Sequence, residues 1–263
     1  NDAGVAQDGE GSDIGPAEQT AADIRAAGGA AQANTGSVAD PAQAESIIGD
    51  ALTCFGRIDV VVNNAGILRN SMFEQMTFEQ WRGVIDVHLH GTFLVSKAAL
   101  PHFQAQKSGS YIHFTSAVGL VGGYTQANYA AAKAGIIGLS RTMALELMGL
   151  GIRSNCVAPW AFTRMLDSMT QDLPPGIPGM ANFRDWGAEK IAPLVAYLAS
   201  DAATDVTNQV FGVRKNEVFL FSRPQTIQTM AKSEGWTVKS IAEELMPALR
   251  ANMPDPAFHS GSF

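Results

Sequence analysis

Short β-branched runs alternate along this chain with longer stretches in which apolar residues recur every three or four positions, the pattern of strands interleaved with helices. Ile58-Asp-Val-Val-Val62 reads as a strand ending in Asn63-Asn-Ala-Gly66. Ser110-Tyr-Ile-His-Phe-Thr115 reads as a second strand, running into a loop that holds Gly119, Gly122 and Gly123. Arg153-Ser-Asn-Cys-Val-Ala158 reads as a third, ending at Pro159. Gln209–Val213 reads as the last buried strand, and a turn at Arg214–Glu217 leads into Val218–Phe221. A further short strand is predicted over Ala30–Asn34, and Asn1-Asp2 has the form of a strand end. Helical spacing covers Ala17–Ala27 (stopped by Gly28-Gly29), Pro41–Phe55, Thr77 to about Phe103, Tyr129–Met148 and Glu189–Ala199. Thr77-Phe-Glu-Gln80 has the form of a capping box. Residues 3–16 form a Gly/Asp-rich loop, and residues 160–185 a Pro- and Met-rich one that suits a mobile cover over a substrate site. The tail 222–263 carries an amphipathic helix capped at Thr237, with Ile241, Leu245 and Leu249 spaced four apart. This alternation predicts a three-layer α/β/α fold with a parallel sheet.

On that frame, Tyr129-Ala-Ala-Ala-Lys133 changes the picture. Residues four apart lie one turn from each other on one helix face. A free phenol, with a pKa of about 10, is a poor acid/base at neutral pH. An ammonium one turn away, helped by a bound cationic cofactor, stabilises the phenolate and brings that pKa toward the working range. Ser116, thirteen residues upstream, supplies a hydroxyl for the oxygen that gains or loses a proton, with Thr115 as its less favoured substitute. By itself the Tyr–Lys spacing is common on surface helices. What distinguishes it here is the series of loops at strand C-termini around it, where open α/β sheets bind ligands.

In combination, Asn63-Asn-Ala-Gly66, Ser116, Tyr129–Lys133 and the Pro159 loop to Thr163 make the stretch from Asn1 to Phe221 resemble the short-chain dehydrogenase/reductase family. Asn63-Asn-Ala-Gly-Ile-Leu-Arg69, Val87-His-Leu-His-Gly-Thr-Phe93 and Gln126-Ala-Asn-Tyr-Ala-Ala-Ala-Lys133 are most similar to its (3R)-hydroxyacyl-CoA dehydrogenase and type 4 17β-hydroxysteroid dehydrogenase branch. The resemblance implies a Rossmann-type, doubly wound domain over residues 1–221 and a helical extension over 222–263. It implies hydride transfer between NAD and a secondary alcohol or ketone of hydroxyacyl or steroid-like character. Tyr129 would be the general acid/base, Lys133 would lower its pKa and hold the nicotinamide ribose, and Ser116 would orient the substrate oxygen. Asp2 would accept hydrogen bonds from the adenosine ribose and repel a 2′-phosphate, favouring NAD over NADP. Ser37 and Val38 would flank the adenine, Asn64, Ala65 and Gly66 would line the ribose and nicotinamide side, and Pro159, Ala161 and Thr163 would meet the carboxamide. Helices 78–103 and 129–148 would pair subunits into a homodimer or homotetramer.

The sequence departs from the family pattern in several places. His88 stands where most members carry asparagine, as in the branch named above; a proton-relay role and a satisfied core histidine are equal readings. Trp160 replaces the glycine after the proline, so an indole is expected to narrow the nicotinamide side or swing into the substrate site. Gly36 replaces an aspartate that often contacts adenine. Also missing is the first strand with its glycine-rich phosphate turn, so roughly 40 further residues are expected upstream of Asn1. That gap keeps a rival reading alive, a truncated, non-catalytic paralogue with an assembly role. A third reading, an NADP-dependent 3-oxoacyl reductase, is disfavoured by Asp2 and the long 3–16 loop.

A net charge of −7 and a pI near 5.2 argue against nucleic-acid or anionic-membrane partners. The apolar runs fall short of a membrane span, and no leader or terminal targeting tripeptide is evident, so a cytoplasmic enzyme acting on a small molecule is expected. Cys54 and Cys156 lie in apolar contexts and read as reduced core residues. His90, His102, His113 and His259 give no metal-ligand spacing, so no metal is expected.

Overall fold

In the computed structural model, residues 1–161 and 186–258 are described. Four parallel strands stand side by side in chain order: β1 (Val60–Asn63), β2 (Gly109–Phe114), β3 (Ile152–Trp160) and β4 (Val210–Arg214). β5 (Glu217–Leu220) returns antiparallel to β4 through a tight hairpin. The central strands are buried on both faces, as a parallel sheet covered by helices requires. Side chains alternate along each strand. Tyr111 therefore packs with Phe103, Ala99 and Ile48 on one face, while Ile112 packs with Ile191, Leu198 and Val213 on the other. The result is a Rossmann-like α/β fold.

The first face is covered by α2 (Pro41–Phe55), by the continuous helix α3 (Phe78–Ile85) to α4 (Gly91–Gln106), and by α6 (Ala127–Leu147). The second face carries α7 (Ala192–Ala199). α1 (Gly15–Ala26) precedes them, and the short α5 (Val118–Val121) follows β2. The capping box expected at Thr77 forms, and α2 has its own signals at both ends. The Asp40 side chain accepts from the Gln43 N–H, Gly56 closes α2 at φ 77°, and Thr77 with Gln80 forms a reciprocal capping box. Between α3 and α4, Asp86–His90 forms a π turn that carries His88 inward. In the tail, Thr237 caps α8 (Val238–Ser240), which runs through a π turn at Ile241–Leu245 into α9 (Met246–Arg250).

Two expectations fail. Ala30–Asn34 is not a strand, because only the Asp2 N–H reaches across, to the Asn34 carbonyl at 3.1 Å, and one bond makes no ladder. Cys54 is exposed, since α2 turns Ala44 and Ile48 to the core and leaves Cys54 toward solvent; Cys156 alone is buried. The methionine-rich loop expected at 165–180 lies outside the described residues.

Candidate active site

The loops at the C-terminal ends of β1, β2 and β3 converge on the start of α6. Asn64–Gly66 leave β1, Ser116 leaves β2, and Pro159, Trp160 and Ala161 end or follow β3. Gly119 is what lets the Ser116 loop lie against α6. A Cβ there would fall 2.7 Å from the Lys133 carbonyl carbon. Thr115 is a strut and not a second candidate hydroxyl, because its Oγ1 is buried and donates to the Lys133 carbonyl at 2.8 Å.

Tyr129 and Lys133 sit one turn apart in the first half of α6, as the spacing requires. The Lys133 Nζ lies 5.4 Å from the centre of the Tyr129 ring and donates to the Phe114 carbonyl at 2.7 Å. Lys133 is 4% exposed, and burial lowers its pKa to about 7, which Cys156 only partly offsets. Burial pushes the Tyr129 phenol up to about 12, and a hydrogen bond with the Ser116 side chain pulls it back in part. The structure therefore brings Ser116, Tyr129 and Lys133 together. The phenol is protonated at neutral pH, while the ammonium is near its titration point.

His88 also packs on the Tyr129 ring, edge-on at 5.1 Å. Its Nε2 lies 2.8 Å from the Ile67 carbonyl and 3.1 Å from the Ile67 N–H, while its Nδ1 is buried without a hydrogen-bond partner. Burial and the Lys133 charge lower its pKa to about 3, so the imidazole is neutral. The π turn that places it was not legible as such. Gly66 now has a packing reason, since a Cβ there would stand 2.3 Å from His88 Cε1.

Asn128 is the residue that sequence reasoning missed. It is wholly buried; its Nδ2 donates to the Arg69 carbonyl at 2.9 Å and the Gln80 carbonyl at 3.2 Å, and its Oδ1 accepts from the Tyr129 N–H. A polar residue beside Tyr129 on an otherwise apolar helix face was the available signal. Trp160 has aromatic neighbours. Its indole packs on the β4–β5 hairpin, 5.4 Å from Phe219 and 6.3 Å from Phe221.

The remaining cofactor candidates form a separate group. One Asp2 carboxylate oxygen accepts from the Gly4 N–H, and Asn1 Nδ2 ties this end to the Gly36 carbonyl at 2.9 Å. The Ser37 N–H is held by the Gln43 side chain, and Val38 packs on the α2–α4 cluster. Asn63 is bound within the sheet by Ser96 and His113. Thr163 lies outside the described residues. The donor set fits a nicotinamide dinucleotide. Asp2 keeps an oxygen to accept ribose hydroxyls, and Lys133 Nζ, with three donors and the Phe114 carbonyl as acceptor at 2.7 Å, keeps donors for another pair. Among the described residues no cluster of His, Cys, Asp and Glu could hold a metal ion, and no helix is long and apolar enough to cross a membrane.

Comparison with known proteins places the chain in a family. The family described as Enoyl-(Acyl carrier protein) reductase, a short-chain dehydrogenase group, matches residues 11–214. A short-chain type dehydrogenase/reductase of Mycobacterium tuberculosis is 42% identical over 241 residues, covering 88% of this chain and 81% of that one. The peroxisomal hydratase-dehydrogenase-epimerase of Saccharomyces cerevisiae is 42% identical over 211 residues, which cover 80% of this chain but only 22% of the yeast protein. The crystal structure of a short chain dehydrogenase from Mycobacterium avium superposes with a TM-score of 0.81 at 32% identity, covering 93% of this chain and 82% of that one. The chain belongs to the short-chain dehydrogenase/reductase family, oxidoreductases that use a nicotinamide cofactor.

Proposed function

We propose that the protein interconverts a secondary alcohol and a ketone with NAD, on an apolar substrate of hydroxyacyl or steroid-like character. The observation that carries this reading is the meeting of Ser116, Tyr129 and Lys133 in one half-buried cluster at the strand C-termini. In the reductive direction Ser116 and Tyr129 hydrogen-bond the ketone oxygen, and Tyr129 gives up its proton as negative charge develops there. Lys133 stabilises the phenolate that results. In the oxidative direction the same phenolate takes the proton from the alcohol. When bound, the nicotinamide supplies or accepts the hydride at the carbon and, oxidised, adds positive charge beside the phenol. Lys133 and Asp2 would hold its two riboses, with Asn64, Ala65 and Gly66 lining the space between, Pro159, Ala161 and Thr163 meeting the carboxamide, and Ser37 and Val38 flanking the adenine.

NAD is favoured over NADP because a carboxylate at Asp2 repels a 2′-phosphate. An acyl substrate is supported by the likeness to the yeast dehydrogenase-containing enzyme and by the acyl-carrier name of the matching family. The test is reduction of a 3-oxoacyl thioester and of a ketosteroid with NADH and with NADPH. The expected result is that kcat/KM for NADH exceeds that for NADPH by about tenfold or more, equivalent to about 1.4 kcal/mol. A preference for NADPH would overturn the role given to Asp2.

A further inference from the structure

We infer that Arg69 is a positioning residue that ties the 3–16 loop to the catalytic helix, so that the loop leading from Asp2 fixes where the Tyr129 phenol stands. This rests on the proposed function only in taking Tyr129 as the proton-transfer group. Arg69 touches the loop through its side chain and the helix through its backbone. Its Nε donates to the Asp8 carbonyl at 2.7 Å, one terminal nitrogen pairs with Glu10 at 2.9 Å, and the Leu68 N–H beside it donates to the Gln7 carbonyl at 2.8 Å. On the other side the Arg69 carbonyl accepts from Asn128, whose side chain also holds the Tyr129 N–H. The neighbouring Ile67 holds His88, which packs edge-on against the Tyr129 ring. The phenol is thus referenced from its backbone and from its ring to one three-residue segment, 67–69, and that segment is held by the loop.

Gly9 and Gly83 fit this reading from two directions. Gly9, at φ 91°, brings the loop so close that a Cβ would sit 3.0 Å from the Ile67 side chain. Gly83 lies within α3, where glycine costs about 1 kcal/mol relative to alanine. A Cβ at Gly83 would come 3.0 Å from an Arg69 terminal nitrogen, so this glycine leaves room for the guanidinium along the helix. Glu10 contributes least, because its side chain is 75% exposed and an exposed ion pair is worth little. The Nε hydrogen bond to the Asp8 carbonyl and the packing beside Gly83 are what fix Arg69.

The experiment compares Arg69→Lys and Gly83→Ala with the parent protein, reading kcat, KM for NADH and thermal midpoint. Arg69→Lys keeps the charge but loses the Nε–H donor to Asp8 and the planar group beside Gly83. It is expected to lower kcat about tenfold with KM for NADH changed less than about twofold, the signature of an interaction that matters to the transition state and not to cofactor binding. Gly83→Ala raises helix propensity while displacing the guanidinium, so it is expected to hold or raise the midpoint and still lower kcat about threefold. A purely structural Arg69 would instead show in Gly83→Ala as a lowered midpoint with parental kcat. Parental kcat in Gly83→Ala together with parental kcat in Arg69→Lys overturns the inference, and should Arg69→Lys not fold, Gly83→Ala alone decides. Tyr129→Phe assayed alongside separates the failures: activity there removes the proposed function itself, whereas an inactive Tyr129→Phe beside fully active Arg69→Lys and Gly83→Ala removes only the role of Arg69.

Discussion

Two buried histidines on the same side of the sheet invite comparison. His113, next to last in β2, has every ring position used: Nδ1 accepts from Asn63 Nδ2 at 3.0 Å, and Nε2 donates to Ser154 Oγ at 3.2 Å, which in turn bonds Ser140 at 2.8 Å. His88, in the π turn, uses only Nε2 and leaves Nδ1 buried with no partner. Burial is the leading cause that lowers both to a pKa of about 3, so titration does not distinguish them. Hydrogen-bond completeness does. A closed polar network rigidifies and specifies a core, whereas an unpaired buried atom costs stability and persists where something else is gained. The closed network holds the sheet beneath the site, and the open one stands against Tyr129. The comparison teaches that, of two equally buried rings, the one left with an unpaired nitrogen is the one that stands against the proposed proton donor.

The largest effect that could break this division is Tyr129→Phe. It removes only a hydroxyl, at the open region, so the folded structure should keep its thermal midpoint within a few degrees while kcat falls about a thousandfold. Steady-state kinetics on protein checked by calorimetry decides it, and a tenfold or smaller loss would make Tyr129 a bystander. His113→Leu is the opposite experiment, aimed at the closed region. It leaves the Asn63 amide without one acceptor and Ser154 without one donor in a water-free interior, at a cost of about 2–4 kcal/mol read from urea unfolding. Turnover per folded molecule should stay near that of the parent. A variant that folded equally well but turned over slowly would mean that the sheet network reaches the catalytic cluster.

Much of this could be read in the sequence, and for identifiable reasons. The strand run Ile58–Val62 (observed as Val60–Asn63), the capping box at Thr77, and the four-residue offset of Tyr129 and Lys133 are local signals, and local geometry honours them. Ala30–Asn34 failed because a strand exists only by pairing, and Ala-Ala-Gln-Ala-Asn carries little β preference to support one. Cys54 failed because an apolar context does not say which side of α2 faces out. Asn128 was passed over because its importance lies in carbonyls 48 and 59 residues away, at Gln80 and Arg69. The direction of the Trp160 indole depended on Phe219 and Phe221, two aromatics from a later hairpin. The residues that carry chemistry were legible as a spacing, but what orients them is assembled from distant segments.

The smallest predicted effect sharpens the comparison of the two histidines most directly. Each has a folded pKa of about 3 against an ordinary value of 6.5, so between those limits the unfolded chain binds more protons than the folded one. Stability is therefore fully present above pH 6.5 and falls as the pH drops toward 3, by up to about 1.4 kcal/mol per pH unit for each ring. Measured between pH 6.5 and 5, where most carboxylates remain charged, replacing either ring with a residue that does not titrate should flatten the slope by about that amount. His113→Leu and His88→Asn are then expected to flatten it equally. If His113→Leu flattens the slope and His88→Asn leaves it unchanged, His88 takes up its proton in the folded state, and its unpaired Nδ1 is the atom that accepts it. That outcome would turn the one unsatisfied nitrogen beside Tyr129 from a tolerated cost into a proton site of the catalytic cluster.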